Sequence, residues 1–310
     1  MRWSRAILFS FLMLSVLTGY AQMAAFQDDA DIITPSFKYE EIRTKKIASL
    51  MIRIEEKPDG KRITDDGLVQ FYRFDSAARL VESYYTIKEI GDSWDTVRAH
   101  YYYNKNNKLV TKRTSDRGVF DTWYYVWYDN GMLKKEAHVQ ETPGPGIGPD
   151  FKIGNQKMIS CDSFAYNIYP KQVQRFGYNE QNTLYEKAIT QYDDKKRMIS
   201  RYSHYQVGWL FSQVDLKYDS IYRLKEYTYA SNLSGEIHTS VRLSYDKYGN
   251  ILVEKVYSGD KQLHEIEYLY DNNTGLISDK LDRDYANSLI SILKFSYTFL
   301  DVDDVPPPTN

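Results

Sequence analysis

From residue 74 onward the chain repeats an aromatic residue followed by Asp or Asn: Phe74-Asp75, Tyr103-Asn104, Tyr128-Asp129, Tyr178-Asn179, Tyr192-Asp193, Tyr218-Asp219, Tyr245-Asp246 and Tyr270-Asp271. In seven copies Leu, Met or Ile stands five residues after the Asp or Asn: Leu80, Leu109, Leu184, Met198, Leu224, Ile251 and Leu276. The third copy, with Leu133, reads as shorter by one. From Tyr192 the intervals to Tyr218, Tyr245, Tyr270 and Tyr297 are 26, 27, 25 and 27, and the last position lacks the Asp. A period of this length is the mark of a repeat architecture, in which one supersecondary unit recurs and neighbours bury its apolar face.

The unit is a β-hairpin. Before each pair the residues alternate as a half-buried strand requires: Val214, Leu216 and Tyr218 point one way, Asp215 and Lys217 the other. Val241-Leu243-Tyr245 and Phe295-Tyr297-Phe299 behave alike. Asp and Asn close turns through their own side chains and tolerate left-handed backbone, which Asn130-Gly131, Gly249-Asn250 and Asn273-Thr274-Gly275 also supply. A second, less regular turn falls halfway between copies, at Ser231–Gly235 and Ser258-Gly259-Asp260. The expected fold is therefore all-β, an antiparallel meander of repeated hairpins forming a curved, elongated or partly closed single sheet. The pair at Tyr178 lies only 14 residues before Tyr192. It is half a repeat out of phase and should turn at the opposite edge. A degenerate unit is expected around Ile153 to Ile159.

Tyr245-Asp246-Lys247-Tyr248-Gly249-Asn250-Ile251 follows the YDxxGN[LI] pattern of the YD, or Rhs-type, repeats of bacterial exported proteins, and the chain resembles that class over about residues 65 to 300. Tyr128 to Glu136 is similar instead to MORN-like repeats, the second resemblance. Either implies hairpins, and neither implies an activity. In large Rhs-type proteins the repeats wind into a shell around a toxin segment; this chain has too few units for that.

Residues 1–21 hold Arg2 and Arg5, an apolar run from Ala6 to Leu17, and Gly19-Tyr20-Ala21, the pattern of a cleaved signal peptide. The run is shorter than the roughly 20 residues of a membrane helix. The reading is export to the periplasm or beyond, with no membrane span after cleavage and no cysteine to accept a lipid. Residues 22–45 are expected as a flexible lead-in, 46–300 as the repeat array and 301–310 as a disordered tail. The Pro/Gly-rich loop at 142–149 marks a possible subdivision.

Removing the first 21 residues takes two of the 40 basic residues and none of the 42 acidic ones, leaving a net charge of −4. Such a balance speaks against nucleic acid as a partner. Cys161, the only cysteine, excludes an internal disulfide. The five histidines show no metal-ligand spacing, and no nucleophile elbow or phosphate loop occurs. No catalytic, metal or cofactor residue is assigned. The expected role is a binding or structural scaffold of the bacterial envelope or exterior with a protein or carbohydrate partner; the alternative is an unrecognised secreted hydrolase, for example a carbohydrate-active one. Among the 29 tyrosines, the motif rings are expected in the core. Tyr102, Tyr125 and Trp127 fall out of phase with them and form a candidate partner-binding patch. Asp75-Ser76-Ala77, Asp95-Thr96-Val97 and Asp219-Ser220-Ile221 resemble the acceptor triplet of a bacterial O-glycosylation system.

Overall fold

A computed structural model describes residues 39–88, 94–116, 118–143, 153–233 and 235–300. The signal segment, residues 22–38 of the lead-in, most of the Pro/Gly loop and the tail lie outside them. One short helix, α1 (Tyr39–Thr44), precedes eighteen strands. In chain order these are β1 (Ile47–Pro58), β2 (Thr64–Phe74), β3 (Leu80–Lys88), β4 (Trp94–Tyr103), β5 (Leu109–Asp116), β6 (Val119–Trp127), β7 (Leu133–Pro143), β8 (Ile153–Tyr169) and β9 (Gln172–Tyr178), then β10 (Leu184–Tyr192), β11 (Met198–Tyr205), β12 (Phe211–Tyr218), β13 (Leu224–Ser231), β14 (Ile237–Tyr245), β15 (Ile251–Ser258), β16 (Lys261–Tyr270), β17 (Ile277–Asp284) and β18 (Leu289–Phe299).

Every strand pairs antiparallel with its neighbours in sequence, and β1 also pairs with β18. The meander is thus a closed 18-stranded barrel. This corrects the expectation of an open or partly closed sheet, and it removes both unpaired edges at once. β7 and β8, on either side of the loop at 142–149, pair with each other, with register shifts at His138/Val139 and Glu141/Pro143. Residues 153–169 form one long strand, not a degenerate hairpin.

The Tyr-Asp turns are built alike and most lie at one end of the barrel. In six of the eight the Asp or Asn Oδ1 accepts the N–H groups two and four residues on, as Asp219 does from Ile221 (3.0 Å) and Arg223 (2.9 Å) and Asp246 from Tyr248 and Asn250 (both 2.8 Å), whereas Asp271 takes those two and three residues on. The residue three on is left-handed, as at Ala78, Asn107, Lys196, Tyr222 and Gly249. In three copies Arg follows at the fourth place. Its Nε donates to the Asp, and its guanidinium lies over the motif tyrosine of the next repeat, Arg79 on Tyr103 (5.0 Å), Arg197 on Tyr218 (4.3 Å) and Arg223 on Tyr245 (4.4 Å).

The motif tyrosines form a ladder round this rim. Each hydroxyl donates to the backbone carbonyl of the aliphatic residue that opens the second strand of the preceding hairpin: Tyr103 to Leu80 (2.8 Å), Tyr218 to Met198 (2.8 Å), Tyr245 to Leu224 (2.5 Å), Tyr270 to Ile251 (2.9 Å) and Tyr297 to Ile277 (3.0 Å). Trp127 Nε1 makes the same bond to Leu109 (2.6 Å). Trp127 therefore holds the motif-tyrosine place, and Tyr128 holds that of Asp, its N–H donating to Met132 O (2.8 Å). The third copy is not shorter. It is displaced by one residue, and Asn130 supplies the cap that Tyr128 lacks. We expect Tyr245→Phe to cost about 1 kcal/mol, the net worth of one such bond, read as a shift of the denaturation midpoint at constant m-value. A loss under a few tenths would show that the ladder follows from packing and does not add to it.

The β9–β10 turn at Tyr178-Asn179 lies at the other end of the barrel. Its Oδ1 bonds are the usual ones, but Tyr178 and Leu184 face outward, opposite to Phe164 and Gly177. A chiral hairpin moved to the far rim, in a chain still winding the same way, must be rotated about an axis across the strands. That rotation exchanges its two faces.

Candidate functional site

Two surfaces result, an inner and an outer. The inner begins at the Tyr-Asp rim with the motif aromatics and their Leu, Met or Ile partners. One step deeper, strands arriving at the rim contribute Tyr72, Tyr101, Tyr125, Leu243 and Tyr268, and strands leaving it contribute Ser83, Lys112, Glu136, Glu254 and Lys280 directly beside them. The leaving residue always stands three after the aliphatic residue that opens its strand. That spacing is a sequence signal for an inward polar belt, and it was missed.

On β15–β17 the belt is a buried network. Tyr268 Oη donates to Glu254 Oε2 (3.0 Å), and Lys280 sits between the fields of Glu254 and Asp282. Burial pulls the Lys280 ammonium below the usual lysine range against those two carboxylates. His264 Nδ1 meets Asp282 Oδ1 at 2.9 Å. Burial works to lower the His264 pKa, but the hydrogen bond and charge of Asp282, with Asp284, outweigh it and raise it above 6.5. A histidine so raised adds stability that is fully present below its unfolded value and disappears as pH climbs through the folded one. We expect the stability advantage of the native chain over His264→Gln to shrink as pH rises above the unfolded value of about 6.5, by thermal denaturation. A flat difference would mean that Asp282 does not hold the proton.

A second group lies on β5–β10. Arg175 grips Glu186 through two bonds (2.8 and 2.9 Å), and Tyr185 donates to Asp162 (3.2 Å). Its ring crosses Gly177, where a Cβ would fall 3.1 Å from Tyr185 Cζ, a tight contact that a larger residue would meet only by shifting the ring. Burial, helped by Asp162, raises Glu136 above the usual carboxylate range. His138 bonds Asp121 (2.8 Å) and stacks on Trp123 at 4.5 Å. These groups satisfy one another inside the wall. Among the described residues no three His, Cys, Asp or Glu side chains are placed to hold a metal.

Helix α1 lies across the Tyr-Asp end. Ile42 is buried with Ile47, Leu50, Phe74 and Leu80. Tyr39 lies near the phenols of Tyr101 and Tyr103, and Glu41 near those of Tyr270 and Tyr297, on either side of the β1–β18 seam. Part of the expected flexible lead-in is therefore a helix packed against the core.

The outer face carries charged pairs from the Tyr-Asp end to mid-strand. Glu82 bridges Arg73 (2.9 Å) and Arg98 (3.6 Å), Glu226 bridges Lys217 (2.6 Å) and Arg242 (3.5 Å), and Lys294 meets Glu55 (2.7 Å).

The three rings of the candidate patch do not share a face. Tyr102 is outward and 48% exposed, whereas Tyr125 is inward and 5% exposed, with Trp127 beside it at 6.5 Å. The displaced third repeat is the reason, since it turns residues 125 and 127 into the inward phase. Of the other motif residues, Tyr192, Tyr218, Tyr245 and Tyr270 are inward and half-buried, Phe74 is buried, and Asp129 sits in mid-turn. Ser76, Thr96 and Ser220 of the acceptor triplets are exposed, and Cys161 is half-buried in β8.

Comparison with protein-family models finds no match, and comparison with curated proteins finds none. Among solved structures the chain is similar to a porin-like protein from Bacteroides uniformis (12% identity, 81% of this chain and 98% of that one, TM-score 0.39) and to a porin-like protein from Bacteroides vulgatus (10%, 82% and 99%, TM-score 0.33). A LolA superfamily protein from Nitrosomonas europaea aligns at 7% identity over 86% of this chain and 92% of that one, TM-score 0.22. Likenesses this distant add nothing to what the strand pairing already states.

Proposed function

We propose that the chain is an exported, non-catalytic binding or scaffold barrel of the bacterial envelope or exterior, of the YD-repeat kind, with a wall that faces water. The observation that carries this is the polarity of the wall. Its outer face bears Arg, Lys and Glu in ion-pair chains that run from the Tyr-Asp end towards mid-strand, while its inner face bears the aromatic and aliphatic repeat residues with the buried polar belt one step deeper. A barrel wall in lipid turns an apolar band outward, and an Arg or Lys on that face costs up to about 2–4 kcal/mol at the bilayer midplane. Recognition of a protein or carbohydrate partner then falls to the outer face and the turn tips, as in other repeat arrays. Fractionation of producing cells tests this. The chain should appear in soluble fractions or leave membranes on alkaline washing. Retention until detergent is added would overturn the water-facing wall and favour an outer-membrane barrel.

A further inference from the structure

The Tyr-Asp turn demands little of its middle residues: the Asp caps it, and only the left-handed place three residues later favours Gly, Asn or Asp. In most turns of the rim Asn107, Gly131, Gly249 and Gly275 fill the left-handed place accordingly, and Ala78 fills it with a small side chain. Of three successive turns on one arc two depart from this, and the third keeps Gly249 but displays long side chains before it. They carry Lys195-Lys196, Ile221-Tyr222 and Lys247-Tyr248.

Two of these residues, Lys196 (φ 61°) and Tyr222 (φ 71°), occupy the left-handed place themselves. A long or aromatic side chain is strained there, and strain that a simple Asn would relieve points to use elsewhere. The side chains are also displayed: Ile221 is 64% exposed, Tyr222 53% and Tyr248 78%. Cations hold the rings. Lys195 Nζ stands 3.4 Å from the Tyr222 centroid, Arg197 Cζ 4.7 Å, and Lys247 Nζ 4.8 Å from Tyr248. The Asp193 carboxylate is neutralised by Arg197, Asp219 by Arg223 and Asp194 by Lys171, while Asp246 bonds the neutral Asn250 and keeps its charge against Lys195, Lys196 and Lys247. The remaining excess on the arc is positive.

We propose that this arc of the Tyr-Asp rim is a docking surface for an anionic lipid bilayer, resting on the water-facing reading of the wall above. The tips are convex and lie side by side along one rim, which suits a plane better than a threaded polymer. Amphipathic tyrosines with an aliphatic residue, flanked by lysines whose stems are apolar and whose heads stay in water, are the groups that settle at a headgroup layer.

The test is sedimentation of the purified full chain with vesicles of phosphatidylcholine alone or mixed with phosphatidylglycerol. The native chain should bind the mixed vesicles only and be released by salt. Each lysine at such a surface contributes about fivefold to partitioning, so K196N/Y222N should bind at least that much more weakly. Asn suits left-handed backbone, so the same variant should melt no lower than the native chain, which separates binding from folding. K105N, on the other arc, should bind as the native chain does. Equal binding to phosphatidylcholine, no binding to either vesicle, equal loss in K105N, or salt-sensitive capture by a soluble acidic polysaccharide with no vesicle binding would each overturn the proposal. Detergent-only extraction from cells would instead strike at the water-facing wall, an outcome distinct from these.

Discussion

Replacing Ser49 and Thr298 by cysteine, in a chain whose own Cys161 is changed to serine, is expected to give a disulfide that forms in air without denaturant. The two residues face each other across the β1–β18 seam with their hydroxyl oxygens 2.7 Å apart, although 249 positions separate them in sequence. Joining points so remote removes much entropy from the unfolded chain, and a loop of this length has an upper stabilisation of about 5 kcal/mol. The measurements are a thiol count, mobility without reductant, and the denaturation midpoint in each redox state. Two persistently free thiols in the folded chain would mean that the sheet does not close there.

Truncating Glu254 to alanine should be the most damaging single change in the inner belt. It leaves Lys280, 2% exposed, without one of its two carboxylates, and Tyr268 without its acceptor. Removing one partner of a buried charge pair costs about 3–5 kcal/mol, whereas exchanging the pair for apolar residues of similar volume is often neutral or better. E254A should therefore unfold at far lower denaturant than the native chain, and E254L/K280M should recover most of the loss. If the double variant falls as far as the single one, the belt matters through shape and not charge.

The hairpin unit was legible because it is local. Tyr, Asp and Leu at fixed spacing carry turn chemistry that any one copy displays, and alternation around Leu216 or Leu243 assigned the faces correctly. Closure was harder to read, since β1 and β18 look like any other strands. One trace of it was present nonetheless: the last strand carries Tyr297 and Phe299 in phase without an Asp, and Ile47, which pairs with Phe299, opens a strand without a preceding tyrosine. Together they are one repeat divided between the chain ends, where Leu300 N–H bonds Lys46 O at 2.7 Å. The displacement at Trp127-Tyr128 misled because both residues are aromatic, and only the turn hydrogen bonds say which of them occupies the tyrosine place. The inner belt escaped notice because Lys112, Glu136, Glu254 and Lys280 differ in type, and a position that conserves depth but not charge leaves no motif.

A split repeat also imposes an order of events. The strand made first, β1, can find β2 at once but must keep its other edge open until β18 has been made, since no strand between them can take that place. Until then the chain presents two sticky margins of the kind that recruit other chains, and the last contact to form is among the most distant in sequence, which slows it. A chain shortened by its final hairpin should consequently not settle as a smaller barrel. It should join end to end with copies of itself.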